Sequence, residues 1–368
     1  MRVLVWHVHG SWTTSFVQGT DEYLLPVVPD RGPEGRGRAR TWDWPQGARE
    51  VTPEQLRDEE VDVVVLQRPE DLELAERWTG RRPGVDLPAV YVEHNAPPEH
   101  AARTRHPLAD RRDIPVAHVT AFNRLMWDCG VAPTTVVDHG IVDPGHRWTG
   151  ERERLGVVVN EPVRRWRVAG TDIVLDVATR LPVDVYGMGM AALEEVARSW
   201  GQGEDPHSQH ASGAAGPNGE PASTGTVGRN GPSGTASGRR RGAGRRPGPD
   251  LVTHDDVPQA AMHDLLARDR AYLHPYRWTS LGLSLLEAMA LGLPVLALSV
   301  TEAPEAVPPA AGVVTNDVDA LVAAGRRWLR DPAEARERGL AAREHVLAHY
   351  GLDRFLADWE SLLKEVTR

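Results

Sequence analysis

The chain is predicted to be an α/β protein: two doubly wound domains in tandem, facing a central cleft. Three observations carry that prediction. Short runs of β-branched residues alternate with helical stretches, 368 residues suffice for two cores of ordinary size, and the alternation restarts near Gly156.

The elements follow in chain order. Val3–Trp6, Val61–Leu66, Ala89–Val92, Val116–Thr120 and Thr135–Val137 are apolar and β-rich, so they read as strands. Between them, Pro53–Arg57, Asp71–Trp78 and Asn123–Cys129 have helical composition. In the second series, strands are expected at Gly156–Val159, Val183–Tyr186, Ala271–Leu273, Pro294–Leu298 and Gly312–Val314. Helices are expected at Thr171–Ala178, Ser284–Leu291, Asp317–Arg330, Pro332–His349 and, as a final amphipathic segment, Leu352–Val366. Strands alternating with helices imply βαβ units and a parallel sheet in each half. The segment 201–249 breaks the pattern. Its Gly, Ser, Pro, Asn and Arg residues lack apolar periodicity and cannot bury enough surface to offset chain entropy, so a disordered, low-complexity insertion is expected in the second domain. Its arginines, Arg239–Arg241 with Arg245 and Arg246, allow an electrostatic tether, but the tract has no aromatic residue for base stacking and reads better as a solvated insertion.

Composition narrows the function classes. A formal net charge of -10 disfavours a general nucleic-acid binder. The longest apolar runs, Val61–Leu66 and Pro294–Val300, are far too short to cross a bilayer. His7 and His9 interrupt the run after Met1-Arg2, so Val3–Trp6 is expected to be a buried first strand rather than a signal segment. Those two histidines are expected to share a face of that strand, and with no carboxylate near them in sequence no metal site is expected. Cys129 is the only cysteine, which excludes internal disulfides and cysteine-based metal clusters and points to a reducing compartment. Trp127–Gly130 reads as a helix end capped by Gly130. Lys364 is the only lysine, so any anion must be held by Arg, His or backbone N–H groups.

The chemistry concentrates in His274–Leu296. A strand runs into a small-residue loop containing Thr279, Ser280 and Gly282, a helix starts near Ser284 and ends at Gly292, and Pro294 leads into the next strand. Free N–H groups at that helix start, approached closely over Gly282, suit a phosphate or diphosphate. Ser284-Leu-Leu-Glu287 also matches a capping box, which gives Glu287 a purely structural alternative.

The wider string resembles the donor-site signature of retaining glycosyltransferases of family 4, the group 1 type, which have the GT-B fold of two Rossmann-like domains. Pro275, Gly282, Leu283, Glu287, Ala288, Met289, Ala290, Gly292, Pro294 and Val295 match in register. The resemblance implies that Glu287 holds the ribose hydroxyls of a nucleotide sugar. It also implies that Ser280, Leu281, Gly282 and Leu283 meet the diphosphate and sugar. Thr279 stands where the family carries its first glutamate, which contacts the donor sugar. Ala169-Gly170-Thr171-Asp172 aligns with the family's Lys-Gly-x-Asp, so its lysine is missing and Arg164, Arg165 and Arg167 are the nearby replacements. Tyr186–Gly189 resembles the Gly-x-Gly turn beside the nucleotide base, which brings Gly187 into the donor site. Asp255–Val257 resembles the base-contacting loop, and His139–Asp143 the segment ending the first domain, with His139 in place of Asn.

In the first domain, Gly10 and Ser11 occupy the place of a loop approaching the donor phosphates, with Trp12, Thr13 and Thr14 toward the cleft. His94 follows a strand on the carboxyl edge, and the resemblance places it by the transferred sugar. His94 and Thr279 are therefore the catalytic candidates. The implied organisation is an acceptor domain over 1–147, a nucleotide-sugar domain over 148–351 and a C-terminal helix over 352–368 packing back on the first domain. The implied activity is metal-independent hexosyl or heptosyl transfer from a nucleotide-diphosphate sugar, with retention and without a cofactor. The expected partners are that donor and a glycan, lipid or small-molecule acceptor, with no nucleic acid. The expected setting is cytoplasmic, with peripheral membrane contact left open. The alternative is a nucleotide-sugar-binding protein that has lost transfer activity, suggested by Thr279 and the missing lysine; a third class is a protein whose insertion mediates an interaction.

Overall fold

The computed structural model describes residues 1–40, 42–98, 100–200 and 248–368. The expected insertion thus lies, apart from Gly248 and Pro249, outside the described residues.

Two all-parallel sheets carry the fold. The first contains β1 (Arg2–Val5), β2 (Glu22–Pro26), β3 (Ala48–Val51), β4 (Val63–Leu66), β5 (Ala89–Glu93), β6 (Val116–His118) and β7 (Thr134–Val136), in the order β3-β2-β1-β4-β5-β6-β7. The second contains β8 (Arg152–Val158), β9 (Val183–Gly187), β10 (Leu251–Asp255), β11 (Asp269–His274), β12 (Val295–Ala297) and β13 (Gly312–Val314), in the order β10-β9-β8-β11-β12-β13. Strand order reverses beside β1 in one sheet and beside β8 in the other. In doubly wound sheets such a switch point opens a crevice at the carboxyl ends of the strands. Central strands such as Val63–Leu66 and Asp269–His274 are buried along their whole length, because helices cover both faces.

Gly140 and Ile141 lead from the first sheet to the second, and the chain returns beside them. Ile141 N–H donates to the Tyr350 carbonyl at 3.0 Å, and Ile141 forms an isolated bridge with Gly351. After that return, the helix Leu352–Val366 lays Phe355 and Trp359 against Trp12 and Phe16 of the first domain. A Cβ at Gly140 would stand 2.2 Å from Phe355, so glycine is needed where the chain crosses under this helix.

Several expectations are corrected. β1 ends at Val5, so His7 and His9 lie in the loop after it and do not share a strand face. His7 Nδ1 sits 3.1 Å from the Gly37 carbonyl, whereas the His9 ring lies 4.1 Å from that of His94. The helix expected over Asn123–Cys129 is Ala121–Met126, because Thr120 caps its start by accepting from Asn123 N–H and Trp127 turns extended. Cys129 is buried in the turn that follows, 3.5 Å from His118 Nε2, and burial pushes its thiol up to about 11. A thiolate nucleophile is disfavoured there.

Candidate functional site

The carboxyl ends of both sheets open onto one cleft of about 990 Å³, lined by residues that follow β1, β5 and β7 on one side and β8 to β11 on the other.

The second-sheet wall is built on the helix Leu283–Leu291. Every residue from Leu285 to Leu291 is buried, so packing fixes the helix in the domain. Gly282 is its N-cap, and no side chain caps it. The capping box is not formed. Ser284 Oγ instead accepts from the Tyr272 hydroxyl at 3.0 Å, and Glu287 turns toward a second helix, Gln259–Leu266. There Gln259 Nε2 donates to Glu287 Oε1 at 2.8 Å, and His263 Nε2 lies 3.1 Å from Oε2. Gln259 and His263 are four residues apart, one above the other on a helix face, so they brace both carboxylate oxygens together. Glu287 still lines the cleft. A Cβ at Gly282 would stand 2.8 Å from His274 Cε1, so the bare glycine admits the His274 ring beneath the loop. His274 is buried, and burial lowers it to about 3. The N–H groups of Leu283 and Ser284, in the first turn, have no acceptor within the helix.

Of the three arginine candidates, the structure separates one from the others. Arg165 lines the cleft with its guanidinium 5.3 Å from the centroid of the buried Tyr276 ring. Arg164 also lines the cleft, 71% exposed and 3.8 Å from Glu161. Arg167 does not line it. Its guanidinium pairs with Asp172 at 2.7 Å, and Arg277 holds the same carboxylate at 2.5 Å. The helix Pro162–Ala169 kinks between them at Trp166, whose φ of 22° is not helical, and this break separates Arg165 from Arg167. The position of the missing lysine, Ala169, is fully buried.

Gly187 lines the cleft at φ 144°, and a Cβ there would stand 2.1 Å from the Val159 carbonyl oxygen. Asp256 and Val257 line it beside Gly187; Asp256 N–H donates to the Gly187 carbonyl at 2.9 Å. Thr279, Leu281, Gly282 and Leu283 line the cleft, but Ser280 does not. Its buried hydroxyl lies 3.5 Å from Thr120 Oγ1 of the first domain. Trp278 Nε1 donating to the Pro97 carbonyl at 2.8 Å, and Phe122 N–H donating to Glu302 at 2.8 Å, are further ties between the walls.

The first-sheet wall has a different character. His94 lies directly after β5, next to His9 and edge-on to Trp12, with ring centroids at 4.1 and 5.0 Å. His139, after β7, completes a group of three imidazoles. Burial, reinforced by Arg68 and Arg36, lowers His9 to about 4. Burial, with His9 and Arg354, lowers His139 to about 3. Burial, with His9 and His139, holds His94 well below the ordinary range. All three are neutral at pH 7, so this wall offers hydrogen bonds without charge. Ser11 lines the cleft; Gly10 does not, because it begins the helix Gly10–Phe16 and the Trp42 ring covers it, 3.4 Å from where a Cβ would be. Trp12 lines the cleft, Thr13 is buried, and Thr14 Oγ1 accepts from Trp44 Nε1 at 2.8 Å.

Sequence reasoning missed Gln259 and His263 as supports of Glu287, Tyr276 as the platform for Arg165, and His9 and His139 beside His94. Only the i,i+4 spacing of Gln259 and His263 offered a local signal. Among the described residues, no group of three or more His, Cys, Asp or Glu side chains is arranged to hold a metal ion, and no helix is long and apolar enough to cross a membrane.

Comparison with known proteins agrees with this architecture. Residues 234–361 match the sequence family described as glycosyl transferase-like. An 89-residue stretch is 39% identical to the O-antigen chain mannosyltransferase B of Escherichia coli, covering 23% of this chain and 23% of that protein. The match therefore spans about a quarter of that curated relative's length. Among solved structures, sucrose-phosphate synthase from Thermosynechococcus elongatus superposes with a TM-score of 0.66 at 13% identity, covering 100% of this chain and 99% of that one. A glycosyltransferase from Rickettsia africae gives 0.62 at 10% identity, covering 100% and 98%. Anabaena HepE in complex with UDP gives 0.61 at 12% identity, covering 99% of each. The chain has the GT-B fold, and its residues 234–361 are similar to the glycosyl transferase-like family.

Proposed function

We propose that the protein transfers a sugar from a nucleoside-diphosphate sugar to a hydroxyl acceptor, with the nucleotide on the second-sheet wall and the sugar between Thr279 and His94. The observation that carries this reading is Glu287. It is a carboxylate braced from one side by Gln259 and His263 while lining the cleft, opposite a helix bearing Arg164 and Arg165. A carboxylate fixed in this way suits the vicinal hydroxyls of a ribose, which donate to it.

In this reading the diphosphate lies between the first-turn N–H groups of Leu283 and Ser284 and the arginines Arg164 and Arg165. The bond from the anomeric carbon to the diphosphate oxygen breaks with its electron pair passing to that oxygen, and the cations and amides stabilise the charge that develops there. The acceptor oxygen bonds to the anomeric carbon, and its proton passes to the departing diphosphate oxygen. With no carboxylate nucleophile assigned at the sugar end, attack from the leaving-group face with retention is the expected course. The arginines supply the countercharge, so activity is expected to survive chelation of divalent cations. The side chains of Arg167 and Ser280 stay outside the donor contacts, as does Gly10. A UDP-, GDP- or ADP-linked hexose or heptose is the expected donor class. The complex of Anabaena HepE with UDP supports testing UDP first.

The test is a thermal-shift panel of UDP-, GDP- and ADP-linked sugars, followed by assay of nucleoside diphosphate release with candidate acceptors. A ligand at about 100 times its Kd adds about 2.7 kcal/mol to folding stability. At least one nucleotide sugar is expected to stabilise the native chain and not Glu287→Ala. Stabilisation unchanged in Glu287→Ala contradicts the assignment.

A further inference from the structure

The ends of three neighbouring strands of the first sheet meet at His94. Trp6 follows β1, Gln67 follows β4 and His94 follows β5, and these strands are adjacent in the order β1-β4-β5. Gln67 is buried, and its own N–H is fixed by donating to Asp71 Oδ2 at 2.9 Å. Its side-chain amide spans two partners. One end is 2.6 Å from the Trp6 carbonyl oxygen and the other is 3.0 Å from His94 Nε2.

Chemistry decides which way the protons run. The Trp6 carbonyl has no hydrogen to give, so the amide group facing it must be the NH2. The group facing His94 is therefore the amide oxygen, an acceptor only. His94 Nε2 must then carry the hydrogen, and in a neutral ring Nδ1 is left with its lone pair. We propose that Gln67 is a positioning residue that locks His94 in the Nε2–H tautomer, making Nδ1 a hydrogen-bond acceptor that selects a sugar hydroxyl in the cleft.

The surroundings agree with a neutral ring. His9 and His139 face His94, with Arg68 and Arg36 near His9 and Arg354 near His139. Asp71 behind Gln67 is paired with Arg68 at 2.6 Å. The Glu93 carboxylate accepts from Asn95 N–H at 2.7 Å and lies 3.3 Å from His106 Nε2. An acceptor Nδ1 rewards a hydroxyl, gives nothing to a deoxy position, and repels a carboxylate. The inference rests on the sugar-transfer reading for its substrate consequence, but its structural core needs no substrate.

The test uses the full chain labelled with 15N-histidine. Long-range proton–nitrogen correlation in the ligand-free protein distinguishes the two tautomers, and the signal lost in His94→Asn identifies His94. The expected spectrum shows His94 protonated at Nε2 and bare at Nδ1. Gln67→Leu is expected to give mixed tautomers and to lower kcat more than it raises KM. Gln67→Glu keeps an acceptor on Nε2, so the tautomer is retained. The added carboxylate favours the imidazolium, so the acid limb of the rate profile moves to higher pH. A donor lacking the hydroxyl that meets Nδ1 is expected to lose about tenfold in kcat/KM, the scale of one hydrogen bond. An Nδ1–H tautomer in the native chain overturns the inference, as does a Gln67→Glu rate profile unchanged from the native one. If no nucleotide sugar binds, the sugar-transfer reading fails while the tautomer result stands by itself.

Discussion

The two walls of the cleft do opposite things with charge. On the second-sheet wall, Glu287 and Arg165 are ionic groups held in place by neighbours that leave their charge available: Gln259 and His263 for one, the Tyr276 ring for the other. On the first-sheet wall, His9, His94 and His139 crowd together, and burial keeps each neutral. Charge is thus confined to the side where a diphosphate and a ribose would need it, and the opposite side offers directional hydrogen bonds. A transferred sugar is neutral and rich in hydroxyls, whereas its leaving group is anionic. The division matches that difference.

The contrast can be broken most severely at Glu287. Glu287→Ala is expected to weaken nucleotide binding by about 100-fold, because charge-assisted hydrogen bonds contribute about 1.5–3 kcal/mol each and two hydroxyls are involved. Calorimetric titration checks this. Arg165→Ala is expected to cost about tenfold in donor affinity and to flatten its salt dependence. Tyr276→Leu, which removes the platform and leaves the charge, is expected to cost less than Arg165→Ala. Equal losses in Arg165→Ala and Arg167→Ala would mean that a general basic surface, not one held guanidinium, binds the anion. Arg167→Ala should change donor affinity by less than about twofold, since its guanidinium is committed to Asp172 and exposed ion pairs contribute little.

The buried neutral histidines, on that wall and elsewhere, predict a pH dependence of stability. His9, His118, His139 and His274 titrate at about 4, 4, 3 and 3 in the native state, below the ordinary 6.5. Between pH 6.5 and about 4 the unfolded chain binds protons that the folded chain excludes, so stability falls as pH falls. Each excluded proton contributes about 1.4 kcal/mol per pH unit. Denaturant titrations at pH 7 and pH 5 are expected to show a large drop, and His139→Asn should shrink it by up to one proton's share. Equal stability at the two pH values would show that these histidines are not buried in the neutral form.

The two walls also differ in how much of them the sequence discloses. β11, the loop and the helix Leu283–Leu291 are contiguous, so a single stretch carries the turn glycine, the apolar helix and Glu287 in readable register. The two-sheet architecture was legible for the same reason, since βαβ units leave local signals, but the order of strands within each sheet and the strand Glu22–Pro26 beside β1 were not. The edge strands Ala48–Val51 and Leu251–Asp255 were not, because an edge tolerates polar residues such as Arg49, Glu50 and His254. The helix Gly10–Phe16 was not legible either. Its Gly-Ser-Trp-Thr-Thr-Ser run has weak helix propensity, and burial of Trp12 and Phe16 overrides it. The first wall is assembled from positions far apart in sequence. Gln67 and His94 are 27 residues apart, and only the adjacency of β4 and β5 brings them together. The capping-box alternative for Glu287 was equally invisible as an error until Gln259 and His263 were seen to claim its carboxylate.

The central claim is that Glu287 holds a ribose on the charged wall. The most direct test is calorimetric titration of the native chain and Glu287→Gln with whichever of UDP, GDP and ADP binds, and with its 2′,3′-dideoxy counterpart. The native chain is expected to prefer the ribonucleotide by at least about tenfold, roughly the contribution of one such hydrogen bond, and Glu287→Gln is expected to lose most of that preference. Equal affinity of the native chain for the ribo and dideoxy forms would contradict the account.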